Sequence, residues 1–372
     1  MIYLDNAATT RPNEDALHRA NEFLTEHYFN PSARYRGGES VARALKDARN
    51  AIASPVCGSD FGLLFTSGGT EADNHAVFSC ARRGNAVTTS GEHSAVYESF
   101  LQLKTRGVEP RFAPLNRDGS VNADALLDLI DEKTNFVSVV HVNNETGAVN
   151  DILSIAKQIK NINPRIVFHS DGVQAYGKIP VRLSSEIDLY SISAHKIGAL
   201  KGTGALIRNK KCNLSPLIFG GGQEGNLRSG TENTFGIMCF RYAAEAAFQT
   251  LEADGARMKE YRDLLWNLMD KTLFERISPI GCSPFILTVS AVGLKGEVLQ
   301  RMLWDRGTAV GTGSACSSKK PFSRILEACG YDRKMLDGVL RISFCTQTTE
   351  EEVRRAADVI NLTAKEMKER LL

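Results

Sequence analysis

Short apolar runs alternate with amphipathic helical stretches along most of this chain, and this alternation restricts the fold more than any other feature. The runs 136–142 and 166–171 read as buried strands, and the stretch 151–161 between them repeats apolar side chains at helical spacing. Strands separated by helices indicate an α/β fold with a mostly parallel sheet, because parallel strands need a crossover connection. From about Phe235 to Leu273 the pattern turns helical, which we interpret as the passage to a second domain.

Length and composition exclude several classes of protein. The 372 residues are enough for about two domains, and 42% hydrophobic content supports a sizeable core. The net charge of +2 gives no reason to expect nucleic acid or an anionic membrane as the main partner. No apolar run reaches about 18 residues and the first residues lack a signal pattern, so we expect a cytoplasmic protein without membrane spans. The eight cysteines include no Cys-x-x-Cys pair, so no metal site is predicted.

A lysine and an aspartate stand at the ends of two predicted strands. Asp171 ends the run 166–171, and Lys196 follows the run 188–192. A lysine can form a Schiff base with an aldehyde cofactor, and an aspartate can keep a pyridine nitrogen protonated. The pair therefore indicates pyridoxal 5'-phosphate (PLP) chemistry, although each residue taken alone is more typical of an exposed lysine and a capping aspartate.

A glycine turn that opens a helix supplies a candidate phosphate site. The segment 67–74, Ser-Gly-Gly-Thr-Glu-Ala-Asp-Asn, follows the strand-like run 63–66. Such a turn directs free backbone amides and the positive end of a helix at an anion. Thr70 adds a hydroxyl, and Ser193 and His195 could supply further donors beside the lysine. Together with Asp171 and Lys196 in this chain order, the turn predicts the site of the cofactor phosphate.

Two further residues suggest how a substrate would be held and attacked. Cys316 lies in the segment 311–321, which is rich in Gly, Ser, Lys and Pro and is typical of a polar loop. Nearby Lys319 and Lys320 favour its nucleophilic thiolate form. Arg341 lies in the strand-like run 339–344, and its guanidinium could bind a carboxylate through two parallel N–H bonds. An incidental surface cysteine and an arginine on a solvent-exposed edge strand are the alternatives.

Taken together, these motifs resemble those of cysteine desulfurases of the NifS/IscS-like group, in the class V aminotransferase superfamily. The resemblance runs nearly end to end and is carried by the motifs at 3–10, 30–32, 67–74, 92–93, 141–147, 171–174, 193–196, 220–224, 227–233 and 314–318. It implies the PLP-dependent transferase fold type I, with a mostly parallel seven-stranded sheet flanked by helices and a smaller α+β domain. The large domain would span 12–250, and the small domain would combine 1–11 with 251–372 and carry Cys316 and Arg341.

The same resemblance implies a role for each site residue. Lys196 would hold PLP and then move the Cα proton of the substrate, Asp171 would pair with the pyridine nitrogen, and His93 would stack on the ring and relay protons. Arg341 and Asn144 would bind the substrate carboxylate. The other implied cofactor contacts are Gly69, Thr70, Ser193 and His195 at the phosphate, Gln174 and Asn144 at the ring oxygen, and Thr231 reaching the phosphate of a neighbouring subunit.

The implied reaction takes sulfur from L-cysteine and yields L-alanine and a persulfide on Cys316, which a second thiol collects. The implied partners are L-cysteine, a second copy of the chain and a protein sulfur acceptor, in iron-sulfur cluster assembly, tRNA thiolation or a similar pathway. Alternatives are another PLP enzyme, such as a selenocysteine lyase or a class V aminotransferase, and a non-catalytic scaffold on the same fold. Cys316 argues against transamination, which needs no thiol, and Lys196 with Asp171 argues against a scaffold.

The chain departs from the family pattern at several positions. Arg34 and Tyr35 replace the usual His after Asn-Pro-Ser, and Ala199-Leu200 replaces Gly-Pro after the cofactor lysine. Lys319 and Lys320 stand where many relatives are neutral or acidic, which favours an acidic acceptor surface. Cys345 stands where a glycine is usual; it could be a second stop for sulfur, although a buried structural cysteine is the favoured interpretation.

Overall fold

The computed structural model describes residues 1–312 and 322–370. Its strands are β1 (Ile2–Leu4), β2 (Phe61–Thr66), β3 (Asn85–Thr89), β4 (Glu109–Ala113), β5 (Thr134–Ser138), β6 (Val167–Asp171), β7 (Leu189–Ser193), β8 (Gly204–Asn209), β9 (Phe274–Arg276), β10 (Ile286–Ala291), β11 (Thr308–Val310) and β12 (Val339–Ser343). Its helices are α1 (Glu14–Glu26), α2 (Arg36–Ala53), α3 (Gly69–Cys80), α4 (Ser94–Leu103), α5 (Ala123–Asp128), α6 (Ile152–Ile162), α7 (Thr234–Gln249), α8 (Leu251–Leu268), α9 (Gly296–Asp305), α10 (Arg324–Ala328), α11 (Arg333–Asp337) and α12 (Glu350–Glu369).

The large sheet has seven strands in the order β2-β8-β7-β6-β5-β3-β4, which confirms the predicted α/β fold. The strands β4, β3, β5, β6 and β7 pair in parallel with one another in this order, whereas β8 runs antiparallel to both β7 and β2. The connection from β7 to β8, residues 194–203, explains the reversal, because it is shorter than the dozen or so residues that a crossover between parallel neighbours needs. In open sheets of this kind, ligands bind beyond the carboxyl ends of the parallel strands. Asp171 ends β6 there, and Ser193 ends β7.

The helices form where the sequence supplies caps and one apolar face. The side chain of Asp151 caps α6 by accepting the Ser154 N–H, and the buried face of α6 carries Ile152, Ile155, Ala156 and Ile159. Thr349 and Glu352 form a capping box at the start of α12. Local signals therefore fix both helix starts before any tertiary packing is considered.

One predicted strand is shorter than expected. The run 136–142 was expected to form a single strand, but β5 ends at Ser138. Beyond it, the N–H groups of Val139 and His141 still donate to carbonyls of the neighbouring β6, and the chain then bends into a turn. The side chain of Asn143 stabilises this turn by accepting two backbone N–H bonds, each of 2.9 Å. The prediction is therefore wrong past residue 138, because hydrophobic periodicity does not report a side-chain-stabilised turn.

A second core forms around two smaller sheets. Strands β12, β10 and β9 make an antiparallel sheet in that order, and β1 pairs in parallel with β11. Apolar residues from α8, α9 and α12 pack with these strands, whereas the helices of the first part of the chain pack on the large sheet. The predicted boundaries, 12–250 for the large domain and 1–11 with 251–372 for the small one, stay a prediction.

The N-terminal strap, residues 2–13, connects both core regions. It begins as β1, and the Asp5 backbone then bridges to Ser343 at the end of β12. Farther along, the Thr10 N–H donates to the His195 carbonyl at 3.0 Å, and the Gly198 N–H donates to the Thr10 hydroxyl at 2.8 Å. The strap therefore lies against the turn that carries Lys196. Among the described residues, no helix is both long and apolar enough to cross a membrane.

Candidate active site

Lys196 occupies a tight turn immediately after β7. Residues 194–196 form a single 3₁₀ turn, which lifts the lysine off the end of the strand. Its Nζ donates to the carbonyl oxygens of Ala7 at 2.6 Å and Ala8 at 2.8 Å, both in the N-terminal strap. The amine is thus held at the carboxyl edge of the large sheet, as the sequence predicts.

Asp171 lies at the same edge and is 4% exposed. Its Oδ1 accepts the Val173 N–H at 2.9 Å. Burial raises the pKa of Asp171 to about 6, while that hydrogen bond and the Lys196 charge act in the opposite direction. That hydrogen bond and the Lys196 charge both favour the carboxylate, which is the form that can stabilise a protonated pyridine nitrogen.

The predicted phosphate site is a close-fitting turn at the start of α3. A Cβ on Gly69 would lie 2.8 Å from Val173 Cγ2 and 3.5 Å from Ser193 Cβ, so only glycine fits there without a shift. The Ser193 hydroxyl is buried and has no hydrogen-bond partner among residues 1–312 and 322–370. Thr70 lies exposed in the first turn of α3. The start of α3 and Ser193 therefore offer donors to one anion.

Two histidines flank the lysine and are neutral. His93 caps α4, and its Nδ1 accepts the Ala95 N–H at 3.2 Å, which assigns the proton of the neutral ring to Nε2. Burial, assisted by the Lys196 charge, lowers the pKa of His93 to about 4. Burial and Lys196 lower the pKa of His195 to about 4 as well, and its Nδ1 lies 3.1 Å from the Thr9 hydroxyl.

Arg341 is buried at 5% exposure, so the alternative of an edge-strand arginine in solvent is wrong. One terminal nitrogen donates to the Asn144 carbonyl at 3.0 Å, and the other forms an ion pair with Asp5 at 3.0 Å. The Arg341 Nε and the Asn144 Oδ1 are both buried and lack a hydrogen-bond partner in the described part of the chain. A buried donor and a buried acceptor thus stand ready for a ligand that offers both kinds of group.

Gln174 and Thr231 differ in how far the structure connects them to this site. The Gln174 side chain donates to the Ala7 carbonyl and accepts from the Lys178 ammonium, both at 2.9 Å. It therefore shares Ala7 with Lys196. Thr231 lies exposed shortly before α7, and its predicted contact requires a second subunit.

Cys316 lies outside the described residues, as do Lys319 and Lys320, so the structure does not place the predicted nucleophile. Both flanks of this segment are attached at the site. Gly311 exchanges two backbone hydrogen bonds with Arg341, of 2.7 and 2.9 Å. Arg324 donates to the carbonyls of Ser90 and Glu92, and its guanidinium lies 3.7 Å from the centre of the Tyr97 ring.

Several buried ionisable residues at the site were not predicted from the sequence. Glu145 accepts the Ser323 hydroxyl, and burial raises the pKa of Glu145 to about 7. Burial also raises the pKa of Glu92 to about 8 and lowers that of Lys178 to about 7. Asp73 is 1% exposed on α3. Glu145, Glu92 and Asp73 lie inside the motifs given above, which is a signal in the sequence, whereas Lys178 lies outside them. The burial of all four side chains follows from tertiary packing.

Cys345 is half-buried and lines a cavity of about 340 Å³ that Lys178 and Lys196 also line. The Thr348 hydroxyl lies 3.8 Å from its sulfur. The expected burial is therefore wrong, because the chain after β12 borders this cavity, while a structural role of Cys345 stays a prediction. A role of Cys345 in sulfur transfer stays a prediction.

Comparisons of the sequence and of the structure with known proteins each match nearly the whole chain. The family model for class V aminotransferases matches residues 2–356. A cysteine desulfurase of Sinorhizobium fredii is 35% identical over 384 residues, which cover 99% of this chain and 97% of that protein. A solved NifS-like protein superposes with a TM-score of 0.92 at 33% identity, covering 98% of this chain and 99% of the other. SspA, solved in complex with cysteine, superposes with a TM-score of 0.81 at 27% identity over 94% of this chain and all of its own.

Proposed function

The chain belongs to the class V aminotransferase family, and we propose that within it the protein is a PLP-dependent cysteine desulfurase. It takes sulfur from L-cysteine, releases L-alanine and carries the sulfur as a persulfide on Cys316. The observation that carries this proposal is the convergence of Lys196, Asp171 and the buried, partly unpaired Arg341 at one edge of the sheet. Relatives that are named cysteine desulfurase align with this chain over nearly their full length, which supports the same reaction.

The residues at this edge fit PLP. A buried polar atom that lacks a hydrogen bond costs about 1–3 kcal/mol, so such atoms are rarely left without a ligand. The Ser193 hydroxyl and the Asn144 Oδ1 are two such atoms within the described ranges. The Ser193 hydroxyl can donate to the predicted phosphate, whereas the Asn144 Oδ1 only accepts, so the contact predicted at the ring oxygen would use the Nδ2 donor of Asn144. The close packing around Gly69 brings the start of α3 next to Ser193, so that backbone amides and a hydroxyl lie side by side.

The proposed binding residues follow from this fit. Lys196 would hold the cofactor, Asp171 would contact the pyridine nitrogen and His93 would stack on the ring. When bound, PLP supplies an electrophilic carbon and an electron sink for breaking the substrate Cα–H bond. The remaining proposed contacts are Gly69, Thr70, Ser193 and His195 at the phosphate, Gln174 and Asn144 at the ring oxygen, and Thr231 from a neighbouring subunit.

The chain's own residues divide the remaining work. Arg341 and Asn144 orient the substrate carboxylate, since the Arg341 side chain already lies fixed between Asn144 and Asp5. Lys196 moves the Cα proton at its Nζ, which the Ala7 and Ala8 carbonyls hold in place. His93 carries its proton at Nε2 and can donate it to the substrate.

Cys316 performs the sulfur transfer in this proposal. Its thiolate forms an S–S bond to the substrate sulfur while the substrate Cβ–S bond breaks. The electron pair of that bond stays with the substrate carbon, which takes up a proton, so that alanine is the product. The attachment of the flanking residues Gly311 and Arg324 at the site supports delivery of the thiol to the substrate.

We further propose a homodimer in which Thr231 reaches the neighbouring site, and its exposure in a single chain is compatible with such a contact. The acceptor would be a protein thiol, in iron-sulfur cluster assembly, tRNA thiolation or a related pathway. A selenocysteine lyase is the second candidate, because the same residues would bind the selenium analogue. A cytoplasmic location stays a prediction from the sequence.

The test follows L-cysteine turnover with a thiol reductant in wild type and Cys316→Ala, with Cys80→Ala as a matched cysteine control. Sulfide and alanine should form in equal amounts in wild type and the control, and both should be lost in Cys316→Ala while the cofactor absorbance band persists. Activity that survives loss of Cys316 would indicate another PLP enzyme. The same assay is repeated with L-selenocysteine, and turnover of L-selenocysteine without turnover of L-cysteine would indicate a selenocysteine lyase. No absorbance band after PLP addition would refute the cofactor assignment.

A further inference from the structure

Asp73 is a second buried carboxyl group beside the residue proposed to hold the pyridine nitrogen. One oxygen of Asp73, one oxygen of Asp171 and one ring nitrogen of His93 all lie within 4.8 Å of one another. The arrangement follows from strand geometry, because residues 169 and 171 of β6 share one face and the first turns of α3 pack against it. Asp73 stands on α3 one turn beyond the phosphate turn.

The neighbours of Asp73 on β6 and β7 form a buried polar chain that contains no cation within the described ranges. His169 lies between two hydroxyls, with Nδ1 2.8 Å from Ser138 and Nε2 2.9 Å from Ser191. Its Nε2 is also 3.6 Å from the Asp73 carboxylate. Burial lowers the pKa of His169 to about 3, so the ring is neutral and does not balance a charge on Asp73.

Two carboxyl groups this close and this deeply buried do not both ionise. Their surroundings decide which one keeps the proton. Asp171 accepts the Val173 N–H and is attracted by the Lys196 charge, and both favour its ionised form. Burial raises the pKa of Asp73 well above its usual range and the charge of Asp171 raises it further, while a hydrogen bond with the Ser191 hydroxyl acts in the opposite direction.

We propose that Asp73 is a positioning residue that keeps its own carboxyl group protonated beside Asp171, so that Asp171 is the single carboxylate facing the cofactor. The proposal rests on the proposed PLP function. A neutral Asp73 adds no second negative charge, and its O–H can donate a hydrogen bond inside the polar chain. An ionised Asp73 would instead favour protonation of Asp171, which would remove the charge that stabilises a pyridinium.

The experiment compares Asp73→Asn, which is neutral at every pH, with the matched variant Asp171→Asn. The dissociation constant of added PLP is measured by absorbance for each apoprotein. Asp73→Asn should bind PLP within a few-fold of wild type, whereas Asp171→Asn should bind about 10- to 100-fold more weakly, because it lacks a charge-assisted hydrogen bond. An equal loss of affinity in both variants would overturn the proposal.

A second measurement does not depend on how the Asp73 variant folds. Aspartate carboxyl carbons labelled with ¹³C are followed by NMR in the wild-type apoprotein and in Asp171→Asn, above the pKa of about 6 for Asp171. With each resonance assigned through its own backbone atoms, and that of Asp171 checked by its absence from Asp171→Asn, the Asp73 carbon should hold the protonated position in wild type and the Asp171 carbon the ionised one. A protonated Asp171 beside an ionised Asp73 in wild type, or two ionised carboxylates, would overturn the proposal. Failure of wild type to bind PLP would instead count against the proposed function. The NMR result would still show whether the Asp73 carboxyl group carries a proton.

Discussion

Replacing Arg341 by lysine tests the proposed substrate site most directly. Both terminal nitrogens of Arg341 are held, by the Asn144 carbonyl and by Asp5, each at 3.0 Å. The Nε is buried without a hydrogen-bond partner in residues 1–312 and 322–370, so it is available for a carboxylate oxygen. A lysine keeps the positive charge but has a single ammonium, which cannot replace the planar fork of the guanidinium.

The expected cost is the loss of at least one charged hydrogen bond to the substrate. Such a bond contributes about 1.5–3 kcal/mol, which corresponds to a loss of about 10- to 150-fold in kcat/KM. Most of the loss should appear in KM, because the carboxylate is held in the ground state as well as in the transition state.

The assay is the initial rate of alanine formation over a range of L-cysteine concentrations, with the cofactor absorbance recorded for each protein. Arg354→Lys is the matched control, because Arg354 is 55% exposed on α12 and pairs with Glu350 of the same helix. Arg341→Lys with kcat/KM within about threefold of wild type would refute the substrate role, since one charged hydrogen bond is worth more than that. A loss confined to kcat, with KM unchanged, would also contradict the reasoning.

Four further predictions follow from the site. Lys196→Ala should lose the covalent cofactor linkage that borohydride traps in wild type, and mass spectrometry of the reduced protein tests this. Because folded Glu92 keeps a proton that the unfolded chain releases, the free energy of unfolding should fall as the pH rises from about 4.3 to about 8, and thermal melts should show a flatter profile for Glu92→Gln. Arg324→Ala should lower the free energy of unfolding by about 1–3 kcal/mol, measured by urea denaturation, and should slow persulfide formation. Replacing Lys319 and Lys320 by Glu should slow sulfur transfer to an acidic acceptor and slow alkylation of the thiol, and unchanged rates would contradict the charge hypothesis.

The parts of this fold that the sequence predicts are those encoded locally. The capping box at Thr349 and the positions of Asp171 and Lys196 after their strands depend on residues close in the chain, and the structure contains all of them. The early end of β5 was missed because the apolar run continues past Ser138 while the backbone turns. Asp73 was missed because its partners lie on β6 and β7, about 100 residues away in sequence, so only tertiary packing brings them together.

The N-terminal strap contacts several residues of the proposed catalytic site. Ala7 and Ala8 hold the lysine amine, Ala7 also holds Gln174, and Asp5 pairs with the arginine proposed to bind substrate. Trimming by proteases, or a fusion tag that disturbs the pairing of β1, should therefore reduce turnover while most of the large sheet stays folded. For expression and immobilisation, the surface of α12 is the safer place for attachment. Loss of activity in a preparation with an intact melting transition should prompt sequencing of its first ten residues.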